Sequence, residues 1–227
     1  MSKEKLQIKR RSMFGEVMVR FLRKPIAVFG AVIMIVVVAL CLLAPVIAPY
    51  DIDAQDITRK FTEPSQEFIC GTDNLGRDIF SRLLYGGRIS LMVGFVSASI
   101  AAILGVILGA IAAFYGKRTD NIIMRILDVF MALPQMLLAI AISAMIGTGI
   151  KGAIIAVTVA TIPRYAQAVR GPILSIRNQE FVEAAFAIDA KDSRIVLRHI
   201  LPNVLSPIIV QVTMGVGNAI TMAASLS

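Results

Sequence analysis

PIAVFGAVIMIVVVALCLLAPVIA, residues 25–48, settles the class of this chain. Residues 26–48 hold no charged side chain. A helix rises about 1.5 Å per residue, so such a run crosses the ~30 Å hydrocarbon layer of a bilayer. Pro25 suits a first helical turn, where its missing N–H is no loss, and Pro45 and Pro49 mark the far end. Further apolar runs follow at residues 89–115, 122–146, 150–162 and 204–224. Of the 227 residues, 57% are hydrophobic. The mean hydropathy is +0.78. A soluble domain holds about 45–50% apolar residues. The expectation is an all-α, polytopic membrane protein with five spanning helices.

The segments between the runs divide the chain. Residues 1–24 place Met13, Phe14, Val17, Met18, Phe21 and Leu22 at helical spacing among Arg10, Arg11, Arg20, Arg23 and Lys24. That predicts a basic amphipathic helix on the cytoplasmic leaflet. Residues 25–49 are the first span, 50–87 a polar loop, and 88–227 a core with a second polar loop at 164–203. Gly105 and Gly109 stand four apart in the second span. They read equally as a small-residue face for close helix approach or as simple tolerance of Gly. The third run carries Arg125 and Asp128 near its start and Pro134 inside it. The two charges predict a local pair or snorkelling, and Pro134 predicts a kink. The fourth run is expected to end at Pro163 and Arg164.

Charge sets the orientation. Seventeen Lys and Arg lie in the N-terminal segment, the turn after the second span and residues 164–203; six lie on the other side. The richer side is cytoplasmic. The N-terminus and the 164–203 loop are therefore expected inside, and the 50–87 loop outside. A formal net charge of +8 could point to nucleic acid on a soluble chain, but here the basic residues flank spans and suit the lipid bilayer. Cys41 sits in an apolar run and Cys70 in a polar loop, so no disulfide is read, and a lone His199 supports no metal site. Gly71, Asp73, Gly76, Arg77 and Asp78 lack a partner cluster for a metal or phosphate. Asp78, Arg82 and Arg88 are expected to fix that loop and the start of the next helix. No phosphate-binding GxxxxGK[ST] loop and no nucleophile–base constellation is present, so neither an enzyme nor a cofactor is expected. The polar N-terminus and the long first run predict no cleavable signal peptide.

The second polar loop holds EAAFAIDAKDSRIVLRHILPN, residues 183–203. Asn178 is placed to cap a helix with Glu180 and Glu183 in its first turns, at the positive end of the dipole. Ala184, Ala185 and Ala187 keep that helix thin. A second helix can start at Asp192 and run through Ile195, Leu197 and Leu201 to Pro202. The predicted shape is helix, turn, helix, parallel to the membrane, suited to passing a push between a soluble partner and the spans.

This stretch resembles the EAA motif of ATP-binding cassette importer permeases. Glu183, Ala184 and Ala185 match its start, and Ile200, Leu201 and Pro202 its end. GTDNLGRDIFSRLLYGGRISL, residues 71–91, and DVFMALPQMLLAI in the third span are similar to the dipeptide/oligopeptide/nickel branch. The resemblance implies a permease subunit for di- or oligopeptides, with nickel as the alternative, in a bacterial or archaeal plasma membrane. It implies cytoplasmic ATPase subunits, an extracytoplasmic solute-binding protein and a second, different permease subunit. Docking to the ATPase would fall to Glu183, Ala184, Ala185, Asp189, Ala190, Leu201 and Pro202. Two departures stand out. Asp189 occupies the family's Gly, where a positive φ is expected. The family also continues to a sixth span, so this sequence reads as C-terminally truncated, which keeps a non-transporting scaffold as an alternative. An ion-driven secondary transporter would show paired inverted halves, and none is legible.

Overall fold

The computed structural model describes residues 18–19, 21–147 and 149–226. Most of the expected amphipathic segment, residues 1–24, lies outside the described residues. Apart from one antiparallel bridge between Thr72 and Asp78, the regular structure among the described residues is helical. The chain divides into two compact units, Met1–Arg88 and Ile89–Ser227.

In the first unit, α1 (Pro25–Leu42) begins with its proline in the first turn. It ends at Leu43, whose N–H reaches back to Ala39 and Cys41. One further turn, α2 (Ala44–Ile47), carries the chain to the polar loop. That loop is organised by short acidic side chains. Asp56 accepts from the Thr58 N–H at 3.1 Å and caps a single 3₁₀ turn. Asp73 accepts from the Leu75 and Arg77 N–H groups at 2.8 and 3.0 Å and from Arg77 Nε at 2.8 Å. Gly76 has φ +74°, and a Cβ there would run into the Asp56 backbone, so glycine is required. Asp78 accepts from the Ser81 N–H at 2.7 Å and so caps the next helix, as expected of it. Arg82 lies 3.9 Å from Asp73, while Arg88 forms no ion pair among the described residues.

Helix α3 (Ile79–Tyr115) starts in the first unit and continues into the second. Gly116 and Lys117, with φ +61° and +43°, turn the chain into α4 (Lys117–Met131). The third apolar run is not one straight span. It breaks before Pro134 into α4 and α5 (Gln135–Ile146), which meet at 85°. Proline removes an N–H and pushes the residue before it out of the helical region. Helix α6 (Ile150–Arg177) corrects the expected end at residue 162, running through Pro163 and Pro172. Pro163 is buried among Ala160, Thr161, Tyr165 and Ala166, so packing holds the helix where one backbone bond is forfeited. The residues 164–203 are therefore not a free loop. They comprise the end of α6, the short α7 (Glu180–Ala187) and the start of α8 (Asp192–Leu226).

Helix α8 overturns a second boundary. The arm's second helix does not stop at Pro202 but is continuous with the last span. Residues Ile195–Ile200 form a π-helical stretch just before that proline. The wider turn re-pairs the backbone where Pro202 would otherwise remove a bond. Among the described residues four helices, α1, α3, α6 and α8, are long and apolar enough to cross a membrane, and the α4–α5 pair, bent by 85°, counts as a fifth if it is a broken span rather than a re-entrant loop.

The glycine pair of α3 is a true contact face. A Cβ at Gly105 would meet Tyr165 and the Ile162 carbonyl; one at Gly109 would meet the Ala166 backbone. Helices α3 and α6 thus approach to backbone contact. Ser97 Oγ adds a bond to the Ile154 carbonyl at 3.2 Å.

Candidate coupling site

The arm is built from the end of α6. Arg177 donates to the Ala113 carbonyl at 3.3 Å, covering one of the last free carbonyls of α3. Asn178 then terminates α6 with φ −94°, and Gln179, in extended conformation, precedes α7. The expected Asn178 cap is therefore not made: Asn178 closes the preceding helix, and Gln179 offers no side-chain bond to α7. Val182 and Ala185, three apart, point inward. They join Ala110, Ala113, Phe114, Val169, Ile173, Ile195, Ile200 and Val204 in the largest apolar cluster of the second unit. Phe186 stacks on Phe114 with ring centres 5.8 Å apart.

The turn after α7 follows from Asp189. Its φ is +52°, the left-handed conformation. The Asp189 N–H bonds the Phe186 carbonyl at 3.0 Å, and the Ala190 N–H bonds the Ala185 carbonyl at 3.2 Å. Those two bonds are the Schellman closure of a helix. The expectation drawn from the family's glycine holds: the position needs a positive φ, and Asp adopts it. Lys191, extended, then leads into Asp192, the first residue of α8.

The outward face of the arm carries Glu180, Glu183, Ala184 and Ala187. Glu183, Ala184, Asp189 and Pro202 are exposed, while Ala190 and Leu201 are half-buried. Ala185 differs from expectation. At 6% exposure it belongs to the core and offers no docking surface. The sequence reading missed the apolar part of the outward surface: Phe181, Phe186, Ile188 and Leu197 are exposed, Ile188 at 79%. Phe181, Ala184 and Ile188 at i, i+3 and i+7 were the available signal.

Nearer the spans, α4 and α6 are joined by a bidentate pair, also missed. Arg170 Nε and Nη2 donate to the two oxygens of Asp120 at 2.6 and 2.5 Å. Of the two expectations for Arg125 and Asp128, a local pair or snorkelling, the pair does not form. Asp128 instead accepts from Gln167 Nε2 at 3.4 Å.

The arm thus has one face locked into the core and one face exposed. Residues 105–227 match the profile of the family described as binding-protein-dependent transport system inner membrane component. The chain belongs to that family. Residues 12–64 match the N-terminal TM domain of oligopeptide transport permease C. The dipeptide transport system permease protein of Alkalihalophilus pseudofirmus is 41% identical over 204 residues, 90% of this chain and 67% of the relative. The oligopeptide transport system permease protein of Bacillus subtilis is 37% identical over 224 residues, 99% of this chain and 73% of the relative. The glutathione transport system permease protein of an Escherichia coli strain is 44% identical over 209 residues, 92% of this chain and 69% of the relative.

The chain is accordingly a polytopic inner-membrane permease subunit of the ATP-binding cassette class. Side chains of α3, α6 and α8 all meet beneath Val182 and Ala185 of α7.

Proposed function

We propose that this permease forms one wall of a solute path for di- and oligopeptides and is worked through α7 by a separate cytoplasmic ATPase. The observation that carries the coupling reading is the outward face of α7. Glu180, Glu183, Ala184 and Ala187 are exposed there with Phe181, Phe186 and Ile188 exposed on the flanks, while Val182 and Ala185 anchor the helix from behind. A thin face of small and acidic side chains with apolar flanks is suited to a groove on another protein. ATP binding to the ATPase biases one permease state over the other, and the arm carries that bias into the spans. Asp189 sets the turn, and Leu201 and Pro202 start the α-helical part of α8 after its π-helical stretch.

The peptide reading rests on relatives named for dipeptide, oligopeptide and glutathione transport. None of these names favours nickel. By the distribution of Lys and Arg, the N-terminus and the arm face the cytoplasm, and residues 50–78 face the extracytoplasmic side, where a solute-binding protein delivers its load. A second, different permease completes the path.

The test is purification from mild detergent with the partner subunits co-expressed, followed by vesicle uptake. A P-loop ATPase is expected to co-purify, to be lost with Glu183→Arg, and to support ATP-dependent peptide uptake. ATPase binding without uptake would leave only a scaffold. Uptake that needs a proton or sodium gradient instead of ATP would overturn the reading.

A further inference from the structure

Away from the arm, the polar side chains of the second unit gather between α4 and α6. Helix α4 sets Asp120, Met124 and Asp128 on one face at four-residue spacing, with Arg125 beside them; Gln167 and Arg170 of α6 lie opposite. Between them is an open groove of about 710 Å³. That volume is in the ordinary range for a site holding a small organic molecule. Charged side chains on a membrane-spanning bundle are costly against lipid, so they face water, protein or solute.

The charges of this groove are only half spent. Asp120 and Arg170 neutralise each other through their two short bonds. Arg125 and Asp128 take part in no ion pair among the described residues. Asp128 has only the long bond from Gln167 at 3.4 Å. One cation and one anion are left over, with no net charge on the lining. One turn further along, Arg164 and Gln135 line a second hollow of about 340 Å³ with Phe130, Pro134 and Pro163. The side-chain nitrogen of Gln135 is buried there without a hydrogen-bond partner.

A bare metal cation would meet two guanidinium groups in the first hollow, and a simple anion would meet Asp128. A zwitterion answers both charges. We propose that the α4–α6 groove is a transit subsite for a peptide's charged ends, Asp128 receiving the ammonium and Arg125 the carboxylate. This inference rests on the peptide reading above and deepens it by naming residues of the path.

The experiment uses the whole transporter, with both permeases, the ATPases and the binding protein, in liposomes. Uptake of radiolabelled dialanine is measured beside the apparent Tm and the co-purification of the ATPase. Asp128→Asn is expected to lower uptake about tenfold, the size of one lost charge-assisted hydrogen bond. The apparent Tm and ATPase co-purification are expected to stay level, and Asp128→Glu to restore uptake. Unchanged uptake in Asp128→Asn overturns the subsite. So does a fall of uptake together with a lowered Tm or a lost ATPase, which marks a merely structural carboxylate. A normal transporter that moves no dialanine removes the peptide reading itself, and the subsite with it.

Discussion

Replacing Asp189 by glycine tests the mechanics of the arm. Asp189 sits at φ +52° and closes α7 through its own N–H and that of Ala190. The left-handed conformation costs an ordinary L-residue roughly 1–2 kcal/mol, Asp somewhat less, and glycine almost nothing. Glycine loses part of that advantage because its opened turn has more freedom. The net expected for Asp189→Gly is about 0.5–1 kcal/mol in favour of the closed turn. Opening of the Ala190 N–H···O=C Ala185 bond should then be about two- to fivefold rarer, read as slower hydrogen exchange at Ala190. Asp189→Ala keeps the Cβ without the carboxylate and should exchange faster than the natural chain. Asp189→Asn removes only the charge and separates that effect from the backbone effect. ATPase activity coupled to transport should rise in Asp189→Gly, because a stiffer turn passes on more of the applied motion. If Asp189→Ala exchanges as slowly as Asp189→Gly, backbone strain is not the cause and the reasoning fails. If exchange slows but coupled activity stays level or drops, stiffness of this turn does not govern coupling.

Gly109→Val should force α3 and α6 apart, since its side chain would meet the Ala166 backbone, at a cost of about 1–3 kcal/mol. The apparent Tm in detergent should fall clearly, whereas Gly217→Ala, with nothing within 4 Å, should leave it level. Equal Tm values for the two would refute the close approach. The polar loop of the first unit should loosen in acid. Bonds from the Thr58 side chain and backbone hold the Asp56 carboxyl below its ordinary value. At Asp73, burial pushes upward, but the Arg77 and Leu75 N–H bonds and the Arg77 guanidinium outweigh it and hold that carboxyl low as well. Groups depressed in the folded state stabilise it above their unfolded value, and that contribution is lost as pH falls through the folded value. Hydrogen exchange at residues 73–77, corrected for intrinsic rate, should therefore lose protection below the ordinary carboxylate range. Asp73→Asn should show little of that pH dependence.

The candidate site was partly legible in one dimension. Glu183 and Ala184 are on the outward face and Asp189 is in the left-handed turn, as the motif and the position of the family's glycine implied. Ala185 turned inward, because a helix of eight residues docked on a core must bury one stripe, and Val182 and Ala185 form it. The exposed Phe181, Phe186 and Ile188 were not read as surface, since nothing local tells an apolar side chain which side of a short helix lacks a neighbour. The Asp120–Arg170 pair was invisible for a related reason: fifty residues separate its members in sequence. Arg125 and Asp128, three apart, looked like partners, yet Gln167 on another helix lies within bonding distance of Asp128.

By itself the sequence determined the membrane class, the number of apolar runs and the place of the arm. These follow from local quantities: run length, charge and spacing along the chain. The positive φ at residue 189 was implied by the resemblance, through the family's glycine at that position. The fate of the prolines was decided only in three dimensions. Pro134, exposed, stands where α4 and α5 meet at 85°, whereas Pro163, buried in α6, leaves its helix continuous, and Pro202 is carried by a π-helical turn within α8. Each proline lacks the same N–H. At Pro163 the burial of neighbouring side chains outweighs the missing backbone bond, and exposure of the ring does not by itself break a helix, since the exposed Pro207 also lies inside α8; the packing of the whole helix decides.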